Sequence, residues 1–263
     1  MDRQHSIAIL FLAILPGCLF RSRGPALPAS NSVTRDQLVI FSDFDLPRRH
    51  RLINELVALR GDLAAKLRSP MSDEPIHIYL FESSNEYIEF TQTHYPEFAD
   101  RRAFFVKTDT TLAVHAFWGE RVAEDLRHEV AHGYLHSVVP NLPLWLDEGL
   151  AEYFEVPRGM RGVNRQHAEL LMMKYDKDQW TPDLQRMEEL TDATEMTQME
   201  YAESWLWAHL LLESTVERHE LLQQYVEKLK ATGGGPPISQ SLTQLETSTE
   251  RTLIQHLKSM VKE

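Results

Sequence analysis

The stretch that most constrains this chain is residues 128–155, HEVAHGYLHSVVPNLPLWLDEGLAEYFE. Its first five residues, His128-Glu129-Val130-Ala131-His132, predict two imidazoles on one helical face, because positions i and i+4 sit one turn apart. Glu129 then lies at the edge of that face, beside whatever the histidines hold. Pro140 and Pro143, with Asn141 between them, predict a helix stop and a turn. A second helix starting near Leu142 can therefore fold back across the first and carry Glu148 towards the two histidines.

That convergence has the composition of a metal site. Zinc in a catalytic site takes three protein ligands and leaves a fourth position open. His128 and His132 supply two, and Glu148, 148 − 132 = 16 residues further on, is the natural third. Glu129 stands where a base for a metal-activated water belongs. Glu152, one turn after Glu148, is placed to accept the outward N–H of a ligating histidine. The chain has 12 histidines, so a His-Glu-x-x-His pattern can arise as a plain polar helix face. The separately met requirement for a well-placed Glu is what favours a metal, and one zinc ion per chain is expected.

HEVAH taken with LPLWLDEGLAEYFE resembles the gluzincin metallopeptidases, and more narrowly the peptidase MA-like proteins of bacteria, whose substrates are uncharacterised. The close match covers residues 128–155, and a looser match in element order runs over residues 41–261. The resemblance implies an α+β, zincin-like fold: a small mixed or antiparallel sheet packed on an active-site helix, followed by a mainly helical C-terminal part. It makes Glu148 the third zinc ligand, Glu152 a carboxylate behind the ligands and Glu129 the general base of peptide hydrolysis. It also points to Tyr201, in Tyr201-Ala202-Glu203-Ser204-Trp205. Members often start a helix this way, and many gluzincins stabilise the oxyanion with a downstream Tyr or His. The other reading of Tyr201 is a structural ring. A strand at residues 111–116 would wall the cleft and pair with an extended substrate. His115 on it is read as a wall residue, not a ligand. No Gly-x-Met-Glu-Asn precedes the metal helix; His115-Ala116-Phe117-Trp118-Gly119-Glu120 stands there. An anchor for a substrate amino terminus is thus missing, which favours an endopeptidase.

The 39 acids against 27 Lys and Arg give a formal charge of −12, which argues against a general nucleic-acid binder. The one cysteine, Cys18, leaves no internal disulfide and falls in a leader. Residues 7–20 (IAILFLAILPGCLF) are apolar but short for a bilayer span, and suit a signal-peptide core. Leu15-Pro16-Gly17-Cys18 resembles a bacterial lipobox. The expected organisation is a signal at 1–18, a flexible tether at 19–36, and one peptidase domain at 37–263, mixed α/β over 37–140 and helical over 141–263. The expected location is outside the bacterial cytoplasm, periplasmic or held at the membrane through a lipidated Cys18, with plain secretion as the alternative.

Within the domain, residues 38–41 read as a first strand. Leu52, Ile53, Leu56, Leu59, Leu63 and Leu67 have helical spacing. Residues 76–81 (IHIYLF) read as a buried strand, with His77 a surface or core residue and not a ligand. Ser83 with Glu86 predicts a capped helix, and 103–107 with 111–117 predict a hairpin. Helices are expected at 120–138, 142–154, 167–175, 201–213, 217–231 and 249–261, with Gly233-Gly234-Gly235-Pro236-Pro237 as a stop between two of them. The functional expectation is a zinc peptidase acting on peptide or protein substrates. Its rival is an exported zinc-binding or protein-interaction lipoprotein that uses a peptidase fold without catalysis. Glu129 separates them, because a purely structural zinc site has no need of it and tends to be closed by four protein ligands.

Overall fold

The computed structural model describes residues 25–261, so the segment read as a signal, with Cys18, lies outside the described residues. A five-stranded mixed sheet and ten α-helices make up the described chain. The strands are β1 (Asn31–Arg35), β2 (Leu38–Ser42), β3 (Ile76–Phe81), β4 (Ala103–Lys107) and β5 (Leu112–Phe117), in the order β1-β2-β3-β5-β4. β2, β3 and β5 run parallel, and β1 and β4 close the two edges antiparallel. Parallel neighbours need crossover connections. Here α1 (Arg51–Leu67) links β2 to β3, and α2 (Ser84–His94) lies between β3 and the β4–β5 hairpin.

Alternation along the strands gives the sheet two different faces. Ile40, Ile78, Leu80, Val114 and Ala116 point into the main core. That core is shared with α1, whose buried side is Leu52, Ile53, Leu56, Leu59, Leu63 and Leu67, as the helical spacing predicts. The opposite face holds a separate aromatic cluster of Phe81, Tyr87, Phe90 and Phe104. Ser83 caps α2, accepting from the N–H groups of Asn85 and Glu86.

The main face of the sheet carries α3 (Val122–His136), which packs on α1, β4 and β5. After the 137–143 turn, α4 (Leu144–Glu155) folds back along α3 and also against α7 (Gln198–Glu213). The α4–α7 approach requires glycine: a Cβ at Gly149 would fall 2.3 Å from the Ser204 carbonyl oxygen. α5 (Arg165–Tyr175), α6 (Leu184–Glu189), α8 (Val216–Thr232), α9 (Ile238–Leu245) and α10 (Thr249–Val261) complete the helical half. Gly233, at φ +72°, ends α8, and α9 starts right after Pro237, so the glycine-proline run separates two helices. Among the described residues, no helix is long and apolar enough to cross a membrane.

Three expectations are corrected. Residues 31–35, placed in the tether, form strand β1. The segment carries no apolar alternation and only Val33 packs on the core, but the Asp36-Gln37 turn pairs it with β2. Asp36 takes a left-handed φ of 49°, which suits a two-residue hairpin and which Asp tolerates. Second, β5 is not an open cleft wall, because β3 and β4 occupy both its edges; the free edge on that side of the sheet belongs to β4. Third, His115 faces away from α3. It stacks on Phe104, centroids 4.7 Å apart, within the aromatic cluster.

Burial holds the His115 pKa down to about 4. Burial also depresses His209, helped by its neighbour His256, and His256, helped by Arg218, each to about 4. All three imidazoles are neutral in the folded chain at neutral pH. The unfolded chain takes up these protons near pH 6.5, so the contribution of these three groups to stability is full above that value and falls as pH drops towards 4. The melting temperature is therefore expected to decline between pH 6.5 and 4.5, before most carboxylates titrate. Replacing His115 by Phe should flatten the decline; an identical pH slope in that variant would contradict it.

Candidate metal centre

α3 presents His128, Glu129 and His132 away from the Leu126, Val130 and Tyr134 side that it buries in the core. α4 brings Glu148 across from the other side of the turn. His128 Nε2 lies 3.2 Å from His132 Nε2, and Glu148 Oε2 lies 3.5 Å from each. An ion with tetrahedral bonds of about 2.0–2.1 Å separates its ligand atoms by about 3.3–3.4 Å. The triangle has that size. His132 and Glu148 are each 6% exposed, so these atoms converge out of bulk water.

Chemistry supports a cation at this point. His128 Nδ1 donates to Glu155 Oε2 at 3.1 Å, and His132 Nδ1 sits 3.0 Å from Asp147 Oδ1 in an ion-pair contact. With protons on Nδ1, both Nε2 lone pairs face each other across the triangle. Glu148 Oε2, also aimed there, is buried with no hydrogen-bond donor. Three converging lone pairs repel unless a positive charge sits among them. Burial alone would lower the His128 pKa, but the nearby carboxylates of Glu148 and Glu155 outweigh it and raise it well above normal. For His132, burial is likewise overcome, chiefly by Asp147 and Glu148, and the value rises to about 10. Burial opposes ionisation of Glu148, yet His132 and His128 bring it down to about 2. In the absence of an ion these groups hold protons where a cation fits. His128, His132 and Glu148 can thus hold a metal ion.

The other expected residues fall as follows. Glu129, 8% exposed, lines a cleft of about 550 Å³ with His128, Glu152, Glu155, Arg101 and Tyr201. Burial raises the Glu129 pKa, with His128 and His132 opposing. Tyr201 shares the cleft, its phenol raised by burial and then by the charge of Glu148. Glu152 does not take the His128 Nδ1 proton, because its Oε2 accepts from His167 Nε2 at 2.8 Å. Glu155, almost one turn further along α4, takes that role instead. His77 lies on the sheet face opposite α3, stacked near Phe41 and Tyr79, away from the triangle.

Four residues were not singled out from sequence. Asp147 and Glu155 flank Glu148 and hold the two histidines. His136, one turn beyond His132, donates from Nε2 to Asp147 Oδ2 at 2.8 Å; the i+4 spacing was the available signal. Arg101 enters from the loop before β4, where its guanidinium lies over the Phe98 ring, 5.5 Å from the centroid. A separate cavity of about 400 Å³ lies between α1 and the 157–162 loop. The ligand candidates do not line it, and the half-buried carboxylate of Glu213 on its wall is already engaged by Lys66, Tyr153 and Arg161.

A scan of the chain against protein-family models finds no match, and no curated protein matches it.

Proposed function

We propose that this chain is a zinc-dependent peptidase of the gluzincin type, with a zincin-like arrangement of sheet, metal helix and Glu-bearing helix. The observation that carries the reading is the triangle of His128 Nε2, His132 Nε2 and Glu148 Oε2, with the carboxylate of Glu129 on the adjoining cleft wall. Zinc is the ion of choice because two imidazoles and one carboxylate are its usual catalytic donor set, with a position left for water. In such a site zinc acidifies its water towards neutrality and polarises a carbonyl.

The residues of the chain supply the rest. Glu129 accepts the proton of the attacking water and passes it to the departing amine. Its buried position makes it a better proton acceptor than a solvated carboxylate, and a bound cation moderates that rise. Tyr201 and Arg101, from α7 and the loop before β4, line the same cleft and offer donors to the carbonyl oxygen as it gains charge. The free edge of β4 offers backbone groups to an extended peptide. Phe105 on β4 stacks on His132 at 6.1 Å, so that edge lies against the metal helix. An edge open along its length suits cleavage within a peptide.

A library of unstructured peptides incubated with the purified chain tests the reading. Cleavage that stops with a chelator and returns with added zinc is the expected result. Cleavage indifferent to chelation, or none with zinc fully bound, would overturn it.

A further inference from the structure

We propose that His136 is a positioning residue for the metal, acting on His132 and Glu148 through the carboxylate of Asp147. The inference rests on the reading of His128, His132 and Glu148 as the metal ligands. His136 stands in the last turn of α3, and Asp147 in the first turn of α4. His136 Nε2 donates to Asp147 Oδ2 at 2.8 Å, while Asp147 Oδ1 lies 3.0 Å from His132 Nδ1. One carboxylate therefore spans two imidazoles a helical turn apart.

The bond does two things. It fixes the rotamer of Asp147, whose other oxygen meets His132 off the ideal hydrogen-bond direction and would drift if Oδ2 were released. It also ties the end of α3 to the start of α4 across the 137–143 turn. Glu148 is the next residue after Asp147, so holding Asp147 holds the third ligand as well. Phe105 braces the pair from the sheet: its ring lies nearly parallel to His136, at 5.5 Å and 20°, and to His132, at 6.1 Å and 18°. The side chain of His136 is 16% exposed, so water competes little for the bond.

Partners that orient a metal ligand are typically worth about 10–100-fold in metal affinity. The test measures zinc affinity of the full chain by competition with a chromophoric chelator. The absorption spectrum of the cobalt-loaded protein serves as a second readout. His136→Phe keeps an aromatic ring beside Phe105 but loses the donor. His136→Gln places an amide N–H where Nε2 stood, whereas His136→Asn is too short to reach Asp147. The expected result is a loss of about 10–100-fold in His136→Phe and His136→Asn, with an altered cobalt spectrum. His136→Gln should recover most of the affinity and the parental spectrum. If His136→Phe does not fold, the Gln and Asn pair carries the same comparison.

Parental affinity in His136→Asn would overturn the proposal while leaving the metal centre standing. Two zinc ions on the parent, with one lost in His136→Asn, would also overturn it, because His136 would then be a ligand. A parent that takes up no zinc would remove the centre itself and the proposal with it.

Discussion

Replacing Glu129 by Gln is expected to lower peptide hydrolysis by at least about 10²–10⁴-fold while leaving the bound metal in place. The amide is nearly the size of the carboxylate, so the cleft keeps its shape. It cannot accept the proton of the attacking water. Glu129 is not one of the atoms that converge on the ion position, so zinc content should be unchanged. Steady-state rates on the best library peptide, with zinc measured on the same sample, decide the matter. A variant that cleaves as fast as the parent would refute the role of Glu129. This experiment also separates a peptidase from a zinc-binding protein without catalysis, since only the former loses anything.

The largest stability effect is expected from Glu203→Ala. Glu203 is fully buried on α7, and its carboxylate accepts from Trp180 Nε1 at 2.9 Å, the Asp183 N–H at 2.8 Å and Trp207 Nε1 at 3.3 Å. Arg186 Nη2 adds an ion pair at 2.8 Å. Truncation leaves buried donors without an acceptor and releases the segment that carries α6. Each donor left buried without an acceptor costs about 1–3 kcal/mol, which for this set amounts to about 3–5 kcal/mol. Urea unfolding should show a loss of that size. Arg186→Ala should cost less, because the Glu203 carboxylate keeps its Trp180, Asp183 and Trp207 donors and the lost side chain is half exposed. A Glu203→Ala variant less than about 1 kcal/mol weaker than the parent would contradict this account.

Local pattern made much of the architecture readable. The apolar face of α1, the buried strand β3, the β4–β5 hairpin and the helix pair around Pro140 and Pro143 all follow from spacing and breaker residues within a short window. The three converging atoms of His128, His132 and Glu148 follow from that same window. What could not be read depends on partners far along the chain. α6 is ordered by Glu203 on another helix, so its own polar sequence carries little sign of it. β1 exists because β2 offers it an edge. Which strand lies at the sheet edge, and which face His115 takes, follow from strand order, which local alternation does not encode. The exchange of roles between Glu152 and Glu155 has the same origin: His167, brought in by α5, takes Glu152, and Glu155 is left to hold His128.

On the proposed function, His128, His132 and Glu148 bind one catalytic metal ion. Elemental analysis of the purified full chain, alongside His132→Ala, tests it most directly. About one zinc ion per chain is expected in the parent, and its loss in the variant. A parent that holds no metal, even after exposure to zinc, would contradict the account and leave the HEVAH helix as a packing element.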